Sequence, residues 1–213
     1  MESDKKIILV GYSGHSFALL DIAIELGYSI VGYSENKIKS NNPYNLTYLG
    51  DEGSDDFKGW KMSNNYIIGI GDNKIREKAL KFIKKNNKKI ISIICKTSSI
   101  SKTAIIGNGT FINRNVAINS LSSVGENCIL NTGCIIEHEC KIGSSCHVGP
   151  GAVITGNVNI GDRTFIGANA VIKPGLKIGN DVVIGAGTVV LRDIENQQKL
   201  VGNPARILWK IKL

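Results

Sequence analysis

Residues 130–154 read LNTGCIIEHECKIGSSCHVGPGAVI, and every sixth position of this stretch is aliphatic. The same spacing holds without a miss over residues 100–190, which contain sixteen such positions. An α-helix repeats about every 3.6 residues and a strand about every 2, so neither produces this period. A longer fixed repeat indicates a solenoid, in which each coil buries its aliphatic side chains along the axis.

A second register, four residues after each aliphatic position, holds small or medium side chains. Four of the five cysteines, Cys128, Cys134, Cys140 and Cys146, fall on this register, so we expect compact core thiols rather than metal ligands or disulfides. Glycine often follows the aliphatic residue, as at Gly107, and we expect these glycines to turn the corners with φ values that other residues resist. With three hexads to a coil of about 18 residues, the repeat predicts about five coils.

Residues 1–96 differ from the repeat, because short apolar runs alternate there with helical patterns. Strands are predicted at residues 6–10, 28–33, 66–70 and 90–94, with a helix after the first and another after the third. This alternation predicts a small parallel α/β domain. The apolar helix positions are Phe17, Leu20, Ile24 and Leu26, then Ile75, Ala79, Leu80 and Ile83.

Ligands of parallel α/β sheets bind beyond the carboxyl ends of the strands, where helix N-termini present free amides. Residues 11–15 (GYSGH), Glu35 and residues 71–73 lie at that edge. Ser13 occupies the second glycine position of G-x-G-x-x-G, so a dinucleotide fingerprint is incomplete and a simple tight turn is an equal alternative. The Asn-rich loop of residues 38–51 is predicted to be mobile.

The formal net charge of +8 does not indicate a nucleic-acid-binding protein, because the lysines are spread along the chain. The densest run, residues 81–89, lies on a predicted amphipathic helix and is expected to be a solvated face. A positive field also suits small anionic ligands. No run approaches the roughly 20 apolar residues of a membrane span, and core thiols without a signal peptide favour a reducing cytoplasm.

The repeat contains two of the three histidines, and the first lies in Glu137-His138-Glu139. His138 follows an inward position by two residues, which places it outward at a corner. An imidazole suits a general base, and a carboxylate on its other nitrogen would orient it. Spacing leaves both glutamates open as that partner, and a solvated polar turn is the alternative for the whole group.

Two further positions relate to His138 through the length of a coil. Gly156 is expected one coil above it, where a glycine leaves room for a substrate or simply forms a corner. His147 follows by half a coil, so the two imidazoles should emerge on opposite sides of one solenoid. If both serve one site, they come from different subunits; an ordinary exposed histidine is the alternative for His147.

The order of these parts, a short α/β domain with G-x-S-G-H at residues 11–15 and then a hexapeptide solenoid, resembles bacterial hexapeptide-repeat acetyltransferases acting on nucleotide-linked amino sugars. The resemblance implies a Rossmann-like domain over residues 1–96 and a left-handed parallel β-helix over residues 97–213. It also implies a homotrimer with acetyl-CoA between neighbouring solenoids. The shared motif is a histidine followed at once by an acidic residue, which selects His138 as the base and Glu139 as its partner.

The resemblance also assigns binding residues. The nucleotide-sugar pocket is expected to involve Ser13, Gly14, His15, Glu35, Asn36 and Gly71, with Asn131 near the acceptor amine. Acetyl-CoA is expected to contact His147, Gly156, Ala168, Ala186, Pro204 and Arg206, with the two alanines one and two coils above the Gly156 region. Residues 202–206 (GNPAR) match the family's closing G-x-P-A-[KR] segment, although a structural cap with a solvated arginine explains them equally well. No metal is expected.

The predicted reaction is acetyl-CoA-dependent N-acetylation of the 4-amino group of a UDP- or GDP-linked 4-amino-4,6-dideoxy sugar, feeding a glycan pathway. The closest alternative is a sialic acid-type sugar O-acetyltransferase. A zinc lyase of the hexapeptide-repeat carbonic anhydrase type needs three histidine ligands, and the solenoid supplies two. A non-catalytic scaffold would leave the α/β domain and the E-H-E corner without a purpose.

Overall fold

The computed structural model describes residues 5–210. The chain divides into two compact units between Ile93 and Ile94, whereas the boundary predicted from the sequence follows residue 96. Within the described residues, no helix is long and apolar enough to cross a membrane.

The first unit is a four-stranded parallel sheet in the order β2-β1-β3-β4, with two α-helices. Its elements are β1 (Lys6–Val10), α1 (Gly14–Glu25), β2 (Ser29–Ser34), a 3-10 helix (Lys58–Lys61), β3 (Asn65–Ile68), α2 (Asn73–Lys85) and β4 (Lys89–Ile90). The prediction of one strand over residues 90–94 is wrong. Only its first residue belongs to β4, while Ile93–Ile94 forms β5 and joins a sheet of the solenoid.

Helix α1 buries a partly different face from the predicted one, and α2 buries the predicted face except at its start. Ile24 and Ile75 are 49% and 57% exposed, whereas Ser16 and Arg76 are fully buried. Ser16 is buried because it closes the first turn of α1: its hydroxyl donates to the Ser13 carbonyl at 2.6 Å and accepts from the Ser13 amide at 2.9 Å. Polar side chains that satisfy turns at the edge of the sheet therefore replace apolar residues on the inner helix faces.

The second unit is a three-sided solenoid of two-residue parallel strands joined by four-residue corners. We name each side after its outward side chains. The histidine face contains β5, β8 (Phe111–Ile112), β11 (Ile129–Leu130), β14 (His147–Val148), β17 (Phe165–Ile166), β20 (Val183–Ile184), β22 (Gln198–Val201) and the antiparallel β23 (Arg206–Lys210). The valine face contains β6 (Ser99–Ile100), β9 (Ala117–Ile118), β12 (Ile135–Ile136), β15 (Val153–Ile154), β18 (Val171–Ile172) and β21 (Val189–Val190). The lysine face contains β7 (Ile105–Ile106), β10 (Ser123–Val124), β13 (Lys141–Ile142), β16 (Asn159–Ile160) and β19 (Lys177–Ile178).

The hexad residues form one continuous core, as predicted. Positions Ile112 to Val190 of the aliphatic register are at most 4% exposed, and the four cysteines of the second register are free and buried. Burial raises the pKa of Cys134 to about 12, which keeps its thiol protonated. The valine face has six strands, so the prediction of about five coils is too low. The extra length includes Leu200, which continues the buried ladder beyond the last regular hexad.

The corner glycines have a different role from the predicted one. Left-handed φ values occur three residues after the aliphatic position, where the chain often has a non-glycine residue such as Asn115 (φ 59°) or Glu139 (φ 60°). Gly107 and its equivalents follow the aliphatic residue directly. A Cβ on Gly107 would lie 2.5 Å from the Glu126 backbone nitrogen, so close stacking of coils is what excludes a side chain there.

Candidate active site

His138 lies at the corner between the valine and lysine faces, on the turn of residues 137–140 that joins β12 to β13. Its Nδ1 is 3.0 Å from Glu139 Oε2, and both side chains are more than half exposed. Of the two carboxylates that spacing leaves open, Glu139 is therefore the one in contact with the ring. A carboxylate that accepts the Nδ1 proton leaves Nε2 as the nitrogen with a lone pair, which is the arrangement a general base requires.

Gly156 lies one coil above His138, as predicted, and the Asn157 amide donates to the His138 carbonyl at 2.9 Å. A Cβ on Gly156 would approach both Cε1 and Nε2 of the imidazole to 2.6 Å. The glycine therefore makes room for the imidazole itself. Gly156 therefore lies next to the imidazole on the side of Nε2.

His147 and Asn131 lie elsewhere on the solenoid. His147 projects from the histidine face, where its ring meets Phe165 edge-on at 5.1 Å. Asn131 lies at the corner between the histidine and valine faces, and its Oδ1 accepts from Asn113 Nδ2 at 2.9 Å. The valine–lysine corner of a three-sided coil lies opposite the histidine face, so one solenoid does not bring His138, His147 and Asn131 together.

Ala168 and Ala186 stack on one another but not above Gly156. They are one coil apart, and the Gly187 amide donates to the Ala168 carbonyl at 2.8 Å. Both follow strands of the histidine face, β17 and β20, whereas Gly156 follows β15 of the valine face. The expected placement is wrong because residue 168 is only twelve residues, two-thirds of a coil, beyond residue 156. Their contact with acetyl-CoA stays a prediction.

The closing segment forms a hairpin between β22 and β23. Pro204 and Arg206 are exposed there, while Ala205 packs against the core and its amide donates to the Val189 carbonyl at 2.9 Å. The segment therefore covers the end of the solenoid, which fits the capping alternative. The predicted contacts of Pro204 and Arg206 with coenzyme A remain predictions.

In the first unit, the predicted nucleotide-sugar residues follow the carboxyl ends of the strands. Ser13 and Gly14 begin α1 after β1, and Glu35 and the exposed Asn36 follow β2. Glu35 Oε1 accepts from the Tyr12 amide at 2.8 Å and lies 3.3 Å from Lys39 Nζ. This carboxylate ties the end of β2 to the turn after β1, so part of its role is structural.

His15 and Gly71 lie near each other and near the buried Arg76; a Cβ on Gly71 would be 4.0 Å from the His15 Cβ. Burial, and secondly the charge of Arg76, lower the pKa of His15 from 6.5 to about 4, so His15 is neutral near pH 7. Arg76 donates to the carbonyls of Ile70 and Gly71 at 3.2 and 3.0 Å and to Asn73 Oδ1 at 2.8 Å. Arg76 holds the turn after β3 in place, a role that apolar spacing does not predict. One sequence feature could have indicated this role: Arg76 is a cation near the start of a helix, where the helix dipole disfavours positive charge.

The loop of residues 38–51 makes hydrogen bonds and ring contacts to other parts of the first unit. The Tyr12 hydroxyl donates to Asn42 Oδ1 at 2.8 Å, and the Tyr44 hydroxyl donates to Asp21 Oδ1 at 2.6 Å. The prediction of a mobile loop rested on composition alone. It did not include the aromatic contacts, in which the Tyr12 ring packs on Tyr33 and the Tyr44 ring packs on Phe17.

No group of three or more His, Cys, Asp or Glu side chains within residues 5–210 could hold a metal ion. The zinc lyase alternative therefore receives no support from the part of the chain that the structure describes.

Comparison with known families assigns both units. Residues 6–83 match the PglD N-terminal domain, and residues 122–156 and 157–192 match the bacterial transferase hexapeptide (six repeats). The chain therefore combines a PglD N-terminal domain with bacterial transferase hexapeptide repeats. This agrees with the predicted acyltransferase class and with the order of the two units.

Solved structures match this chain over almost its whole length. PerB from Caulobacter crescentus, in complex with CoA and GDP-perosamine, is 27% identical, with a TM-score of 0.89 over 96% of this chain and 97% of its own. The acetyltransferase domain of PglB from Neisseria gonorrhoeae, in complex with acetyl coenzyme A, is 25% identical, with a TM-score of 0.87 over 96% and 99%. WeeI from Acinetobacter baumannii, 24% identical with a TM-score of 0.86 over 95% and 99%, supports the fold alone. The Rossmann-like domain and the left-handed β-helix are thereby confirmed.

Proposed function

We propose that this transferase moves the acetyl group of acetyl-CoA to the 4-amino group of a UDP- or GDP-linked 4-amino-4,6-dideoxy sugar. The observation that carries the proposal is the His138–Glu139 pair, 3.0 Å apart and exposed at a solenoid corner below Gly156. The resemblance to PerB, which binds CoA and GDP-perosamine, supports this substrate class. Such a reaction would serve glycan synthesis in the cytoplasm.

In this proposal His138 is the general base. The amine lone pair forms the new C–N bond at the thioester carbonyl, and Nε2 takes the proton that the nitrogen must lose. Collapse of the tetrahedral intermediate breaks the C–S bond, and the imidazolium returns the proton to the departing sulfur. Glu139 stabilises the imidazolium through Nδ1, and the Gly156 amide donates to the oxyanion.

The two units divide the binding of the substrates. The strand-end residues of the first unit, Ser13, Gly14, His15, Glu35, Asn36 and Gly71, bind the nucleotide sugar. Because His15 is neutral near pH 7, it contributes hydrogen bonds rather than positive charge. The backbone around Ala168 and Ala186, together with His147 and the closing hairpin, contacts the coenzyme.

We also propose a homotrimer. The outward side chains of the valine face are apolar from Ile135 through Val153 and Val171 to Val189, and those of the neighbouring histidine face include Phe165 and Val183. The lysine face instead carries Lys141, Asn159 and Lys177 over the same coils. Two apolar faces that meet at one corner suit packing against copies of the same chain. Such packing would bring His147 of one subunit towards His138 of another.

A mass-spectrometric assay tests the reaction. The protein is incubated with acetyl-CoA and, in parallel, GDP-perosamine, a UDP-linked 4-amino-4,6-dideoxy sugar and sialic acid. A gain of one acetyl group on an amino sugar, abolished in His138→Ala, is the expected result. Acetylation of sialic acid alone would move the enzyme to O-acetylation, and full activity in His138→Ala would remove His138 from the mechanism.

Two neighbouring glutamates provide a matched control for the base. Glu139→Gln should lower kcat roughly tenfold to a hundredfold, because the neutral amide no longer stabilises the imidazolium. Glu137→Gln changes the same charge on the same turn but leaves the ring contact intact, so its kcat should stay near that of the wild type. Equal losses in both variants would point to the charge of the turn rather than to the His138–Glu139 contact.

A further inference from the structure

The corners of the solenoid are closed by side chains from the coil below. Thr164 illustrates the device at the corner between the lysine and histidine faces. Its hydroxyl donates to the Gly179 carbonyl at 2.7 Å and accepts from the Val182 amide at 3.1 Å, so one oxygen ties both ends of the turn above. Thr110 makes the same pair of bonds to Gly125 and Cys128, at 3.0 and 3.2 Å.

Ser122 makes these bonds to the turn that carries His138. Its hydroxyl donates to the Glu137 carbonyl at 2.6 Å and accepts from the Cys140 amide at 3.1 Å. The side chain is 1% exposed, so water does not compete for either bond. One buried oxygen thus ties the residue before His138 to the residue after Glu139.

The turn above Ser122 carries both side chains of the proposed catalytic pair. Glu139 has a left-handed φ of 60°, a conformation that costs a non-glycine residue free energy, and its side chain must still reach His138 Nδ1. Residues 137 and 140 are the ends of the segment that sets the direction of both side chains. A small shift of these ends moves the imidazole relative to the acceptor amine. The rate of acetyl transfer depends steeply on the distance and orientation between these two groups.

We infer that Ser122 is a positioning residue for acetyl transfer, which holds the His138–Glu139 pair in its reactive geometry through the turn of residues 137–140. The inference rests on the proposed role of His138 as the base. Ser122 lies beneath the turn with both hydrogen bonds committed to its backbone, so it acts through the turn and not on the substrate.

The test compares Ser122→Ala with Thr164→Val, which removes an equivalent hydroxyl from a corner that carries none of the proposed site residues. Both variants lose the same two bonds, so similar falls in melting temperature are expected. Only Ser122→Ala should lose kcat, roughly tenfold to a hundredfold, with the KM for acetyl-CoA nearly unchanged. Ser122→Thr should keep kcat near the wild-type value, because threonine makes the same bonds at Thr110 and Thr164.

A second variant covers a failure of Ser122→Ala to fold. Val158 occupies the same register two coils above Ser122 and is fully buried, so this corner accommodates a valine side chain. Ser122→Val therefore removes the hydroxyl with a residue that fits the corner. Wild-type kcat in folded Ser122→Ala or Ser122→Val, or an equal loss of kcat in Thr164→Val, would overturn the inference. Neither result concerns the base itself, which His138→Ala tests separately: full activity in His138→Ala would remove His138 from the mechanism, and with it the role inferred for Ser122.

Discussion

Glu139 reaches the ring of the preceding residue because the backbone turns between them. Consecutive side chains of an extended chain point to opposite sides, so neighbours in sequence meet only where the backbone leaves that conformation. The φ of 60° at Glu139 supplies this change. The equivalent position is asparagine in the coil above, at Asn157, and such residues adopt this conformation more readily. A glutamate in this costly position is explained by the carboxylate that it presents to His138.

Gly156→Ala is predicted to impair catalysis while leaving the solenoid intact. The added methyl group would meet His138 Nε2 and Cε1 at 2.6 Å, and the ring can move aside because it is the exposed end of a side chain. The imidazole would then leave its reactive position. We expect kcat to fall at least about tenfold, as measured in the acetyl-transfer assay, with little change in melting temperature.

Gly107→Ala is the matched control for this substitution. Its methyl group would meet backbone atoms of the next coil, at 2.5 Å from the Glu126 nitrogen and from the Gly125 carbonyl carbon, and these cannot rotate away. This variant should therefore lose stability in thermal unfolding. A Gly156→Ala protein with normal kcat, or one as unstable as Gly107→Ala, would contradict the assignment of this space to the imidazole.

For the helices and strands, apolar periodicity predicts the positions that are buried by core packing. It does not predict the positions that are buried because their side chains form hydrogen bonds. The aliphatic register from Ile112 onward is buried as predicted, because that position fills the axis of every coil. Helix α2 follows a different rule at its start, where Arg76 turns inward to bind the Ile70 and Gly71 carbonyls and Ile75 is displaced to solvent. A hydropathy pattern carries no information about carbonyl groups that need a donor, so this inversion was not predictable from apolar spacing.

Leu121→Asn is predicted to stabilise the solenoid. Leu121 has a φ of 62° at a corner and is 66% exposed, so its side chain adds little packing to offset an unfavourable backbone. Asparagine tolerates the left-handed region better, and we expect a gain of about 1 kcal/mol in the free energy of unfolding. Asn115 has nearly the same φ, 59°, and is also exposed, so Asn115→Leu should lose a similar amount. Urea unfolding of the two variants measures both changes, and effects of the same sign would contradict the argument.

For the whole molecule, sequence spacing predicts which residues stack in successive coils more reliably than it predicts which corner of a coil a residue occupies. The step of one coil correctly places Gly156 above His138, since both belong to one corner. Ala168 was misplaced because two hexads beyond Gly156 is a different corner, and family resemblance does not correct an error of register. The position of the proposed nucleotide-sugar residues at one edge of the first unit follows from strand order. The buried Arg76 and the tyrosine contacts of the loop depend on tertiary geometry that spacing does not describe.

The contrast between the faces predicts how the molecule assembles. Val153 projects from the valine face between Ile135 and Val171, and a glutamate there would be buried without a partner if this face packs against another copy. Wild-type protein should sediment as a trimer of 23.0 kDa chains, and Val153→Glu as a monomer with little acetyl-transfer activity. Loss of the trimer should lower the activity, because His138 and His147 lie on different sides of one solenoid and a complete site would need two subunits.

Asn159→Glu provides the control for assembly. Asn159 occupies the same position of the next hexad, but on the lysine face between Lys141 and Lys177. The new carboxylate would face two lysines in water, so the trimer and its activity should persist. A monomeric wild type, or a Val153→Glu protein that stays trimeric, would contradict the assignment of the valine face to the subunit interface. Dissociation with full activity would instead show that each solenoid carries a complete site, and that His147 of a second subunit is not required.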